Sequence, residues 1–141
     1  DVALHIFQAY ELGRDAAAGG AGMRLRVTPF RAWLLRIAVL PVILSTDRFP
    51  RGVRAPREVA PDPSVSRHLS PGAALAQLER AARQAADGLR RADDERPALR
   101  VAHAYFGPLT PHAALRMLSA HTRHHARALT HQLDGAHLDG P

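Results

Sequence analysis

The chain of 141 residues contains no cysteine. Disulfide scaffolds, thiolate zinc sites, iron–sulfur clusters and cysteine nucleophiles are therefore excluded. Lysine is missing too, and all 19 basic residues are arginine. Beside the heavy alanine content, that bias reads first as the mark of a GC-rich genome. Aromatic residues are scarce, at 5%, and no platform of interleaved basic and aromatic residues is visible. Long apolar runs are also lacking. The longest, Trp33–Leu44, is interrupted by Arg36 and Pro41. At about 12 residues it falls short of the ~20 that span a bilayer. Asp1–Tyr10 has neither the basic flank nor the apolar stretch of a secretory signal. These readings predict a cytoplasmic protein with no membrane partner.

What is present is an ordinary globular balance, with 46% hydrophobic and 23% charged residues. The length suits a single domain spanning 1–141 with one real core. A formal charge of +6 raises the question of nucleic acid. The arginines are spread along every segment, however, and no helix–turn–helix pattern is seen. The denser run Arg48, Arg51, Arg54, Arg57 falls in a proline-rich stretch and reads as a solvated loop. Nine histidines stand beside zero cysteines. If the protein binds a metal or moves a proton near neutral pH, imidazole is the group to examine.

Apolar spacing predicts helices throughout. Val2, His5, Ile6, Ala9 and Leu12 form one stripe over Asp1–Leu12, with Gly13 as a stop and Asp15–Gly22 as a loop. Thr28 and Pro29 are a fitting N-cap and first helical residue for a helix that Pro41 should break. Residues 45–71 carry five prolines and read as a long crossover. Ser70-Pro71 opens a helix over Gly72–Ala92, with Leu75, Leu78, Ala82, Ala85 and Leu89 inward. Ala98–Gly107 reads as a link, and no strand pattern is convincing. Thr110-Pro111 opens a last helix to about Leu133, with the stripe Leu115, Leu118, Thr122, His125, Leu129. The tail 134–141 should fray. The predicted fold class is all-α, a bundle of about four helices joined by one long crossover.

The segment His121-Thr122-Arg123-His124-His125 stands out. Residues four apart on a helix share a face, so His121 and His125 can aim at a common centre. Such a pair is a frequent helical metal clamp. His5 is a candidate third ligand, because it lies on the buried stripe of the first helix. His124 lies on the adjoining side. A single histidine on an apolar stripe is more often a core or capping residue; the H-x-x-H-H cluster brings the two readings to even terms. His68, His112, His131 and His137 do not share this logic, and His103 is ambiguous.

The stretch Ala102-His103-Ala104-Tyr105-Phe106-Gly107-Pro108-Leu109-Thr110-Pro111, followed by His121–His125, resembles a branch of the DinB-like superfamily that has no assigned activity. That branch carries an H-P-x-F-G-x-L-T segment and then a helix with H-x-x-H-H. Trp33–Leu44, followed by Phe49-Pro50-Arg51-Gly52 and Ala55-Pro56, is similar to its apolar helix and crossover. The resemblance implies a four-helix bundle with a divalent metal on three histidines, here His5, His121 and His125. His124 would then be a neighbour or possible base. Ala104, Ala114 and Ala128 depart from the branch, which has Pro, Trp and Gln at these places. The resemblance also implies a longer first helix, by ~15–25 residues for a helix of a few turns. A second copy of the chain could cover the core that a shorter helix leaves open.

The superfamily includes metal-dependent thiol S-transferases and a thiol-dependent isomerase, which directs attention to two readings. One is an enzyme in which zinc, nickel or iron activates water or a low-molecular-weight thiol toward a small electrophile, with Tyr105 and Phe106 lining the pocket. The other is a bundle that binds metal without turnover, with a homodimer as one form. Imidazole ligands do not choose among the three metals.

Overall fold

The computed structural model describes residues 2–50, 56–60 and 70–138. Among these residues five helices and one hairpin follow in order: α1 (Val2–Ala17), α2 (Pro29–Ala38), α3 (Leu40–Thr46), α4 (Pro71–Glu95), β1 (Val101–His103), β2 (Gly107–Leu109) and α5 (Pro111–Leu138). A 3-10 turn, Arg57–Val59, lies in the crossover. Counting α2–α3 as one interrupted helix gives the four-helix arrangement predicted from the sequence. Residues 51–55 and 61–69, with His68 and with Arg51 and Arg54 of the arginine run, lie outside the described residues.

The caps follow sequence chemistry. Thr28 Oγ1 accepts from Arg31 N at the start of α2, where Pro29 contributes no N–H to satisfy. Ser70 Oγ does the same for Ala73 N at the start of α4. The break between α2 and α3 falls at Val39, two residues before Pro41, as a proline inside a helical run requires.

Three expectations are corrected. Gly13 does not stop α1, which continues to Ala17. It is instead a close-packing point: a Cβ there would lie 2.8 Å from Leu118 Cδ1, so the glycine lets α1 approach α5. Ala98–Gly107 is not merely a link, because Val101–His103 pairs antiparallel with Gly107–Leu109. Three-residue strands are too short for alternation to be read from sequence. The last helix runs to Leu138 rather than 133, so residues 134–138 are helical and not frayed; residues 139–141 are outside the described set.

The inner stripe of α5 is also rotated from its predicted place. Ala114, Met117 and Ala120 are buried, while Leu129 is exposed. Small alanines let helices approach closely, and a count of large apolar residues overlooks them. On α4, Ala85 and Leu89 are buried as predicted, together with Ala81 and Ala92, while Leu75 is 57% exposed.

α1, α4 and α5 pack against one another as the solid half of the domain. α2–α3 stands on the other side, held at both ends. At one end Arg36 Nη1 donates to Pro108 O at 2.8 Å. Residues 23–26 lie along β1 there, with Met23 N on Ala102 O and Arg26 N on Ala104 O. Gly22, at φ +66°, is needed for that approach, since a Cβ would stand 2.9 Å from Ala102 O. At the other end Asp47 accepts Arg123 Nε and Nη2, each at 2.7 Å, and Arg127 Nη2 at 3.2 Å. These contacts fix α3 to the middle of α5.

The Arg123 hydrogen bond and charge hold the Asp47 carboxyl below its ordinary value of 3.8. A carboxyl whose pKa falls on folding stabilises the fold above its unfolded value, and loses that effect as pH drops through the folded one. Asp47→Asn tests this cleanly, since asparagine tolerates the left-handed φ of 54° at this position. We expect the variant to melt below the parent chain at neutral pH, with the gap closing as pH falls below 3.8. A gap that persists unchanged in acid would show that the charge is not what holds the clamp.

Candidate metal centre

His121 and His125 lie one turn apart on α5, and their Nε2 atoms are 3.1 Å from each other. His5, on α1, brings its Nε2 to 3.1 Å from His121 Nε2. One ligand atom from each of the three lies within 4.8 Å of the others. The rings stand nearly edge to face, at 71°, 78° and 88° to one another. Three nitrogens thus meet at one point while the rings spread outward. The residue after His121 reinforces the join: Tyr10 OH, on α1, donates to Thr122 Oγ1 at 2.9 Å, and Thr122 donates its own proton to Leu118 O.

The tautomer of His5 is set from outside. His5 Nδ1 stands 2.6 Å from Val59 O; a carbonyl only accepts, so Nδ1 carries the proton and Nε2 keeps its lone pair. Gln8, one turn along α1, donates its amide to Val59 O and Ala60 O at 3.0 and 2.9 Å. The two side chains hold the 3-10 turn of the crossover against α1. Backbone support on the far nitrogen is the usual way a metal-binding histidine is oriented.

The three nitrogens fit a cation better than they fit one another. Each neutral imidazole has one ring proton, and that of His5 is already spent on Val59. One proton on His121 Nε2 can point squarely at only one of its two neighbours, each 3.1 Å away. The remaining contact is bent or sets lone pair against lone pair. Protonating a ring would place charge among enclosed groups. Burial first, then the His125 and His5 charges, push His121 down to about 3. Burial also lowers His125. Neutral rings are the form a metal requires. His5, His121 and His125 could therefore hold a metal ion.

The site opens on a cavity of about 870 Å³ between α2–α3 and the rest of the bundle. Its walls are mostly apolar, with Leu35, Ile43, Met117 and Leu118 among them. Tyr105 and Phe106 border it, as does His124. His124 is outside the converging trio; its ring lies 5.1 Å from that of Phe49 and 5.4 Å from that of His125. No Asp or Glu lines the cavity among the described residues.

Two wall residues were given no place at the site by the sequence. Phe49 sits against His121 and His124, at 5.7 and 5.1 Å between rings, directly after the Asp47 clamp. His103 also borders the cavity. Its Nδ1 accepts from the Tyr105 and Phe106 N–H groups at 3.2 and 3.4 Å, which leaves the ring proton on Nε2. Burial pushes it down to about 4, so it is a neutral ring at physiological pH. The hairpin turn creates that role, and spacing along the chain could not reveal it.

Comparison with protein families bears on this arrangement. The model of the DinB superfamily matches residues 23–129. The chain belongs to the DinB superfamily. Members of this superfamily are metal-binding, in keeping with the trio on α1 and α5. The match includes His121 and His125 and begins after α1, so the placing of His5 rests on the geometry above. Searches of curated proteins and of solved structures gave no match.

Proposed function

We propose that this DinB-superfamily chain is a metal-dependent enzyme acting on a small molecule in its cavity, by hydrolysis or by thiol transfer to an electrophile. The observation that carries the reading is the meeting of three imidazole nitrogens on the wall of a ligand-sized apolar cavity. Held by His5, His121 and His125, a divalent metal such as zinc, nickel or iron would lower the pKa of a water or thiol beside it.

The chain's own contributions follow from the walls. Apolar side chains exclude water and hold the body of a substrate. His103 offers a neutral ring with its proton on Nε2. His124 is the candidate proton acceptor, because no carboxylate borders the cavity among the described residues. A chain without cysteine must receive any thiol from a cosubstrate. That no carboxylate borders the cavity among the described residues also favours the thiol route over hydrolysis, which more often needs a general base.

The same observation supports a second reading, in which the bundle binds metal without turnover. Zinc-, nickel- and iron-loaded protein can be screened with low-molecular-weight thiols paired with small electrophiles, and with esters and amides. Metal-dependent turnover that disappears in His121→Ala is the expected result. Activity unchanged by chelation would remove the metal from the reaction, and inactivity on every pair would favour the binder.

A further inference from the structure

The cavity extends well beyond the histidines, and its far end carries a cation. Arg31, in the first turn of α2, is the only wall residue with a fixed charge among the described residues. Its guanidinium has no ion pair or hydrogen bond among them, and the side chain is exposed. It stands at the mouth.

The two ends are far apart because α2–α3 and α5 are held together at both ends. Ala32, next to Arg31, lies beside Gly107, just before α5 starts. Asp47, at the other end of α3, is clamped to Arg123 between two of the histidine ligands. From Ala114 to His125, the span of α5 that borders the cavity, the helix rises about 16.5 Å at 1.5 Å per residue. The path between Arg31 and the trio is apolar, bordered by Leu35, Val39, Ile43, Phe106 and Leu109.

A mostly apolar cavity of that length, with one unpaired cation on its wall among the described residues, is complementary to one class of molecule. We infer that the cavity binds an elongated apolar monoanion, with its carboxylate at Arg31 and its apolar body directed toward His5, His121 and His125. One arginine balances one negative charge, and its planar fork matches a carboxylate. The inference names the substrate class of the enzyme reading and rests on that reading for its catalytic meaning. Binding itself needs no metal.

Calorimetric titration with octanoate, decanoate and dodecanoate tests it, on the chain as isolated and again after chelation. Decanol serves as the neutral counterpart. Affinity should rise roughly fourfold per added methylene while the chain fits. Decanoate should bind more tightly than decanol. Arg31→Gln should weaken decanoate about fivefold, the scale of one exposed ion pair, and leave decanol unchanged, while Arg31→Lys restores part of the loss. Circular dichroism checks that the variants fold. Equal binding of decanoate and decanol, or equal loss of both in Arg31→Gln, would overturn the anion site. Failure of every probe to saturate would overturn the cavity as a ligand site. Because the chelated protein is measured too, loss of metal dependence elsewhere leaves these outcomes distinct from the enzyme reading.

Discussion

His121→Ala should leave the chain unable to retain a metal. Protein stripped with chelator, reloaded with zinc and desalted should carry close to one ion per chain, and His121→Ala close to none. His121 is the shared member of both short contacts, 3.1 Å from His5 Nε2 and 3.1 Å from His125 Nε2. Its removal leaves only the His5 and His125 nitrogens. Loss of a residue that merely orients a ligand lowers metal affinity ten- to hundredfold; loss of a ligand should exceed about a hundredfold. His5→Ala and His125→Ala should behave likewise. His112→Ala is the control, since His112 is exposed at the start of α5 and only its backbone N–H is used, on Asp93. Equal metal content in all four variants would refute the trio.

The second large effect concerns the scaffold. Leu89 is fully buried, at 0% exposure, in the cluster formed with Ala92, Phe106 and Met117. It lies 3.8 Å from where a Cβ on Gly13 would be, at the meeting of α1, α4 and α5. Leu89→Ala removes its apolar area from the core and leaves a cavity, at a cost of about 3 kcal/mol. Stability of a domain is only about 5–15 kcal/mol, so the loss is a large share. For a chain of this size each kcal/mol moves the midpoint by about 2–4 °C, which predicts a fall of roughly 10 °C. Leu75→Ala on the same helix, at 57% exposure, should change stability by less than about 0.5 kcal/mol. Thermal unfolding followed by circular dichroism separates the two. Similar midpoints for both variants would mean that α4 buries a different face.

The parts of this protein that were legible in its sequence are those governed by local rules. The caps at Thr28 and Ser70 and the break before Pro41 depend on residues within a turn of one another. His121 and His125 depend only on helical spacing. His5 was legible through its place on the apolar stripe and through family resemblance. What escaped depends on distant partners. Gly13 looks like a helix stop until Leu118 is seen against it. His103 gains its role only when the hairpin folds Tyr105 and Phe106 back over its ring. Val59 and Phe49 belong to an aperiodic crossover, where no spacing announces which residue meets His5 or His121.

The link between His5 and His121 joins positions 116 residues apart. Contacts of such sequence separation form only after much of the chain has been ordered, because closing long loops costs entropy before the contact offsets it. α1 must wait for α5, the final helix, before the three nitrogens can meet. The turn at Val59 that orients His5 must also be in place. We expect the site to be among the last features to assemble, so that an ion bound there would select chains that have completed folding. Uptake of metal should then lag behind the recovery of helix during refolding, and serve as a clock for its final step.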